Sequence, residues 1–221
     1  MSFILNIDTY GDIASVCVAH NGEALYFDNN NNQRDHAIWL HTAIDTMFKK
    51  NNRALKDISA VALTIGPGSY TGLRVGLATA KGVCYALQVP LITINTLELM
   101  ALAVQNEASD LICPMIDARR MEVFTAIYNK NLQPILISQA MVINETSFKE
   151  TLATHQILFC GNGSKKLQSI IKNENALFST TIADASHLAS LSYERFCKKE
   201  FADLAYTEPL YIKEFYTPIR K

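Results

Sequence analysis

Apolar and polar positions along the chain change period several times, and each change marks an element. Phe3 to Ile7 is a mostly apolar run that ends at Asp8, the pattern of a buried strand. Ala14 to His20 and Glu23 to Phe27 follow at strand length, with His20-Asn21-Gly22 as a hairpin turn signal between them. Asn29 to Asn32 is an all-asparagine run, which predicts a solvated loop outside any strand. From Asp35 to Lys50 the period becomes helical, with Leu40, Ile44, Met47 and Phe48 on one face. Val61 to Ile65 is a fourth strand, and a glycine-rich turn leads from it into a helix ending near Leu87. Pro90 to Ile94 is a fifth, and Asn95 or Thr96 caps a helix running toward Gln105. The predicted order is βββαβαβα.

The second half starts again with strands, Leu111 to Ile116 and Glu122 to Tyr128, joined by the tight polar turn Asp117 to Arg120. Pro134 to Ala140 is a third strand. A helix at Ser147 to His155, a strand at Ile157 to Cys160 and a helix after Gly163 follow. Ser186 to Lys199 predicts a last helix, and Glu208 to Phe215 a short terminal strand. No residue repeat is present, but the order of elements is partly duplicated. The pattern predicts an α/β protein of two lobes, 1–105 and a reduced 106–221, with the last strand and tail packing back on the first lobe.

The segment Ile65 to Gly82, IGPGSYTGLRVGLATAKG, concentrates five glycines between a strand and a helix. It is no P-loop, because Leu73 and Leu77 stand where Gly-Lys-Ser/Thr requires lysine. Against a Gly-x-Gly-x-x-Gly dinucleotide turn, the third glycine is one place late (Gly66, Gly68, Gly72). An anion site at the helix N-terminus stays open. Within the helix, Gly72, Gly76 and Ala80 share one face, and Ala78 with Gly82 forms a second small stripe. Each mid-helix glycine costs about 1 kcal/mol relative to alanine, so another backbone is expected to approach closely. Two readings stay open: packing against its own sheet or a neighbouring helix, and docking of a partner chain.

Composition narrows the class. The 221 residues are 49% hydrophobic and 19% charged, with formal net charge −1, so no global field draws the chain to nucleic acid or an anionic membrane. Five dispersed cysteines with no CxxC pair predict buried free thiols in a reducing compartment. No basic n-region precedes the first strand, and no apolar run approaches 18 residues, so a cytoplasmic protein without a membrane span is expected.

At the level of motifs, IGPGSYTGLRVGLATAKG closely resembles the signature of the TsaB (YeaZ) family. Supporting stretches are ILNIDT at the start, MIDARRMEVFTAIY at Met115 to Tyr128 and EPLYIKEF near the end. The resemblance spreads over almost the whole chain. It implies the actin/Hsp70-like ATPase (ribonuclease H-like) fold, whose two lobes each begin with a three-strand meander. It also implies a non-catalytic paralogue of TsaD/Kae1, supporting transfer of threonylcarbamoyl to adenosine 37 of tRNAs reading ANN codons. The implied partners are a TsaD-like catalytic subunit, bound through helices, and a TsaE-like ATPase, with tRNA reached through the complex. A homodimer through the same face is a further expectation, because an empty apolar docking face tends to pair with its own copy. No intrinsic cofactor is implied, with ATP and Mg²⁺ expected only in complex with the catalytic partner.

The residues bear on this directly. TsaD-like members hold a metal with two helical histidines at i, i+4, whereas His36 and His41 are five apart and lie roughly 140° from each other around a helix. No metal ligands and no catalytic residues are therefore assigned. Asp8 and Thr9, ending the first strand, occupy the place where this fold meets phosphate, and Asp117 mirrors Asp8; together they form a nucleotide-site candidate. Tyr10-Gly11-Asp12-Ile13 after Asp8 is bulky and acidic where a phosphate loop is small. The candidate interface comprises Ile38, Trp39, His41, Gly72, Arg74, Gly76 and Ala80, on the helices at Asp35–Lys50 and Gly72–Leu87. Arg74 and Arg119-Arg120 are candidates for acidic partner residues or tRNA phosphate, against an ordinary surface role. Alternatives of another class are an ATP-hydrolysing enzyme of the same fold and a metallopeptidase; Ser69 has no histidine near it in sequence to make it a nucleophile.

Overall fold

The computed structural model describes residues 2–32 and 35–213, and within them two five-stranded sheets share one strand order. The first contains β1 (Phe3–Asp8), β2 (Ala14–His20), β3 (Glu23–Asn30), β4 (Ala60–Gly66) and β5 (Leu91–Asn95), ordered β3-β2-β1-β4-β5. β1 runs antiparallel to β2 and parallel to β4, which is parallel to β5. The second contains β6 (Leu111–Asp117), β7 (Glu122–Asn129), β8 (Pro134–Val142), β9 (Ile157–Cys160) and β10 (Ala176–Phe178), ordered β10-β9-β6-β7-β8. Its pairings repeat the pattern: β6 antiparallel to β7, parallel to β9, and β9 parallel to β10. A meander followed by parallel strands on the other side of the first strand, twice over, is the expected actin-like, ribonuclease H-like architecture.

The helices are α1 (His36–Lys50), α2 (Tyr70–Leu87), α3 (Thr96–Ala103), α4 (Lys149–Leu152), α5 (Ser164–Gln168) and α6 (Leu188–Lys198). Among the described residues, one compact unit comprises those up to Ala103 together with Ile182–Pro209; the other comprises Val104–Thr181 and 210–213. In the first unit, Leu40, Ile44, Met47 and Phe48 of α1 are buried with Leu77, Ala80 and Cys84 of α2 against Leu5, Ile7 and Leu63 of the sheet. Removing that apolar surface from water, at about 25 cal/mol per Å², drives helices of these patterns onto the sheet. α6 belongs to this unit, and its Arg195 makes a two-pronged ion pair to Glu98 of α3 at 2.9 Å. In the second unit the core surrounds Phe159, whose ring lies 5.3 Å from Phe148 and 5.4 Å from Phe178.

Three elements depart from the sequence pattern. Asn29 and Asn30 extend β3 opposite Ser15 and Ala14, because an edge strand is fixed by backbone pairing and needs no burial. Glu208 to Lys213 form no strand; Pro209 has no N–H to give a ladder, and the free edge of β5 instead takes a single bridge from Ala202 to Leu91. Glu214 and Phe215 of that predicted strand lie outside the described residues. The reduction expected of the second half falls on its helices, since α4 has 4 residues and α5 has 5, while its sheet is complete.

Cys17, Cys84, Cys113 and Cys160 are buried, and Cys197 is exposed. Burial pushes the Cys17 and Cys113 thiols up to about 12 and that of Cys84 to about 11, so these are inert packing groups at neutral pH. No helix among the described residues is long and apolar enough to cross a membrane.

Candidate functional site

β1 ends at the residues singled out as a nucleotide site, and both are buried. Asp8 is 1% exposed; Thr64 of β4 donates its hydroxyl to Asp8 Oδ1 at 2.6 Å, and the Tyr10 N–H lies 3.5 Å from the same oxygen. Burial outweighs both bonds and pushes the carboxyl up to about 7. Burial therefore favours the neutral acid near neutrality.

The segment leading into α6 completes the surroundings of Asp8. The buried hydroxyl of Ser15, the register partner of Asp8 on β2, accepts the Ala185 N–H at 2.9 Å. That bond positions Asp184 and His187, which pair at 3.0 Å. Burial works against the Asp184 carboxylate, but hydrogen bonds from His187 and Ser186 outweigh it and hold it below the usual range. The Asp184 bond in turn raises His187. Asp184 repels, and His187 attracts, a charge on Asp8. A hydrogen-bonded polar pair thus stands within electrostatic reach of a buried carboxyl.

Thr9 explains the glycines. Its hydroxyl donates to the Gly72 carbonyl at 2.8 Å. A Cβ on Gly72 would run into the Thr9 carbonyl oxygen, and one on Gly76 into the Thr9 hydroxyl. Ala80, on the same face, is fully buried. Gly72 and Gly76 therefore face Thr9, just past the chain's own first strand, and Ala80 is buried in the core along the same face, so the docking assignment for these three is corrected: the smallness of the two glycines admits the chain's own Thr9. The glycine turn is filled in the same way, since the Tyr10 carbonyl accepts the Ser69 N–H at 2.7 Å and would lie 2.6 Å from a Cβ on Gly68. That carbonyl occupies the first free amide an anion at this helix start would use.

In the second unit, Asp117 ends β6 and keeps its charge by a different device. Its Oδ1 accepts both the Lys166 ammonium and the Arg119 N–H at 2.6 Å. Asn162 Oδ1 accepts the Asp117 N–H at 2.9 Å, and Lys166 also donates to the Glu122 carbonyl at 3.1 Å. Burial raises Asp117, but the Lys166 and Arg119 bonds outweigh it and leave it below the ordinary carboxylate range. A lysine ammonium thus stands against the carboxylate where a bound cation would compete. Among the described residues no group of three or more His, Cys, Asp or Glu side chains is placed to hold a metal ion.

The outward face of α1 and α2 is different in kind. Ile38 is 77% exposed, His41 is exposed, and Trp39 is half-buried against the edge of the core. Between the helices runs an open groove of about 460 Å³ lined by Ala37, His41, Val75, Ala78, Gly82 and Val83. The second small stripe, Ala78 with Gly82, lines this groove, and open space surrounds the Cβ position of Gly82. Arg74 is exposed, with its guanidinium 4.2 Å from the centre of the Tyr70 ring. Of the predicted interface residues, Ile38, His41 and Arg74 are on the surface, Trp39 is at its margin, and three are inside.

Sequence reading missed Thr64, Asp184, His187 and Lys166. For Asp184 and His187 the available signal was Asp-x-Ser-His ahead of a helix; its neighbour Asp8 is far away along the chain. Lys166 carried no signal.

The comparisons with known proteins agree with this architecture. The family model described as TsaD, tRNA N6-adenosine threonylcarbamoyltransferase, matches residues 30–209. The tRNA threonylcarbamoyladenosine biosynthesis protein TsaB of Buchnera aphidicola subsp. Baizongia pistaciae is 26% identical over 217 residues, 96% of this chain and 98% of that protein. The protein of the same name from Escherichia coli (strain K12) is 32% identical over 130 residues, 58% of this chain and 55% of that protein. YeaZ from Pseudomonas aeruginosa superposes with a TM-score of 0.81 at 25% identity, covering 96% of this chain and 100% of that one. The chain belongs to the TsaB (YeaZ) family of TsaD paralogues, whose curated members are named for tRNA threonylcarbamoyladenosine biosynthesis.

Proposed function

We propose that this chain is an accessory subunit that docks on a TsaD-like threonylcarbamoyltransferase and activates it. The reaction served is threonylcarbamoyladenosine formation at position 37 of tRNAs reading ANN codons. The observation that carries the reading is the open α1–α2 groove, a concave face with a small-residue floor suited to a partner's helix, on a helix that also exposes Ile38. Two features favour a supporting over a nucleotide-hydrolysing role: Asp8 is buried with a raised pKa, and Asp117 is held by Lys166. ATP and Mg²⁺ then belong to the assembly with the catalytic subunit, a TsaE-like ATPase joins it, and tRNA is recruited by the whole. Two copies pair through the same groove when the catalytic subunit is absent. The setting is the cytoplasm.

The test fills the groove from its floor with Ala78→Trp and Gly82→Trp, both exposed and so compatible with the fold. Loss of co-purification with the TsaD homologue and of tRNA modification, with an unchanged circular dichroism spectrum, is the expected result. Undiminished binding by both variants overturns the reading.

A further inference from the structure

The turn between β6 and β7 spans Ala118 to Glu122 and is closed by hydrogen bonds from the Ala118 N–H to the Glu122 carbonyl and from the Glu122 N–H to the Arg119 carbonyl. Arg119 and Arg120 follow one another at φ 70° and 48°, both left-handed. Such conformations cost about 1 kcal/mol or more per residue away from glycine, and turns usually fill them with Gly, Asn or Asp. Here both positions carry arginine, the longest cationic side chain.

The turn is firmly held from below. Asp117 Oδ1 takes the Arg119 N–H, Asn162 Oδ1 takes the Asp117 N–H, and the start of α5 abuts β6 so closely that a Cβ on Gly163 would lie 3.1 Å from the Asp117 nitrogen. Both arginines are exposed, and neither guanidinium has an ion pair or hydrogen bond among the described residues. The nearby carboxylates are already engaged, Asp117 by Lys166 and Glu122 by Lys213. Lys165, next to Lys166 on α5, is exposed as well. A chain of net charge −1 therefore presents, on a hydrogen-bonded turn, two exposed guanidiniums outside any ion pair among the described residues, with the Arg119 charge acting on Asp117 from a distance.

We propose that the Arg119–Arg120 tip is a direct RNA contact, in which the two guanidiniums grip successive phosphodiesters of the tRNA. The planar fork of arginine suits phosphate oxygens, and a pre-set turn lowers the ordering cost of binding. A backbone contact of this kind positions RNA without reading its sequence. The identity of the RNA rests on the proposed function; the contact itself rests on the tip.

The experiment compares the wild-type chain with Arg119→Gly/Arg120→Gly and Arg119→Lys/Arg120→Lys. Glycine relieves the backbone, so the first variant folds with a melting temperature at or above that of wild type. Binding of an unmodified tRNA transcript is titrated against salt, using the full chain assembled with its TsaD homologue. The expected result for the glycine variant is about tenfold weaker binding at 0.1 M salt and a log–log salt slope smaller by roughly 1.5 to 2. The lysine variant keeps most of both. Equal tRNA binding and slope in wild type and glycine variant overturn the proposal. So does a glycine variant that loses the protein partner and not the RNA, which assigns the tip to an acidic protein surface. If wild type forms no assembly, the proposed function fails, and the same comparison on the chain alone decides the contact. Absence of tRNA binding by both chain and assembly also overturns it.

Discussion

Thr64 donates a 2.6 Å hydrogen bond to Asp8, joining the ends of the parallel neighbours β4 and β1. The bond is compatible with either protonation state of Asp8, whose carboxyl oxygen only accepts. Burial decides between the states, and it favours the neutral acid. One carboxyl thereby links the stability of the whole first unit to pH.

Asp8→Asn tests that link, because asparagine keeps an oxygen for Thr64 and removes the charge. The folded pKa of about 7 lies above the ordinary 3.8, so between these values the folded chain holds a proton that the unfolded chain releases. Wild-type stability attributable to Asp8 therefore falls as pH rises from about 4 to 7, by up to about 4 kcal/mol. His187, whose pKa is also raised, adds stability below its ordinary value of 6.5 that is lost as pH rises through its folded value. Urea denaturation should show Asp8→Asn gaining most on wild type at pH 8 and nothing near pH 4. A gain that is independent of pH, or absent at pH 8, places the Asp8 charge in water.

Lys166→Met examines the second unit in the opposite direction. Asp117 is held low by Lys166 and Arg119 against its burial, so its stabilising contribution is present above the ordinary pKa of 3.8 and is lost as pH falls through the lowered value. With methionine at 166 the carboxyl titrates higher, and the variant loses stability at a higher pH than wild type. A carbon-13 NMR titration of the Asp117 carboxyl reads the shift directly. An unmoved titration shows that the Arg119 N–H suffices to hold the charge.

Much of this fold was legible in the pattern of residues. Leu40, Ile44, Met47 and Phe48 announced α1 and are all buried, and most strands of both sheets lie close to where apolar runs put them. Elements defined by pairing and not by burial were not legible. Asn29 and Asn30 are strand only because β2 offers them a backbone ladder, and Ala176 to Phe178 make a strand too short to show a period. The candidate site was half legible, because spacing identified a small face at Gly72, Gly76 and Ala80 but could not say which backbone filled it. The approach of Asp184 and His187 to Asp8 depends on a return of the chain, which no local pattern encodes.

Ser15→Ala probes that return. Its hydroxyl accepts the buried Ala185 N–H at 2.9 Å, and alanine leaves that donor unpaired. A loss of about 1–3 kcal/mol is expected, with faster hydrogen exchange at the Ala185 amide. Wild-type exchange at Ala185 in the variant would mean that water takes over the bond and that Asp184 and His187 are held by other contacts.

Three glycine-to-alanine changes in α2 separate helix propensity from close approach. By propensity alone each should stabilise the helix by about 1 kcal/mol. Gly82→Ala should do so, because nothing lies within 4 Å of its Cβ position. Gly72→Ala should destabilise by roughly 2 kcal/mol or more, since its Cβ meets the Thr9 backbone carbonyl, which cannot withdraw without disturbing β1. Gly76→Ala meets only the Thr9 hydroxyl, with the Thr9 Cβ at an ordinary 3.6 Å. Removing that hydroxyl with Thr9→Ala should therefore rescue Gly76→Ala and leave Gly72→Ala unrescued. Denaturation of the single and double variants gives the two coupling energies. Rescue of Gly76→Ala by Thr9→Ala, with Gly72→Ala still destabilising in the Thr9→Ala background, fits a helix cleared for its own strand. If instead all three alanines stabilise the isolated chain and Gly76→Ala alone abolishes partner binding, the small face is an external one after all.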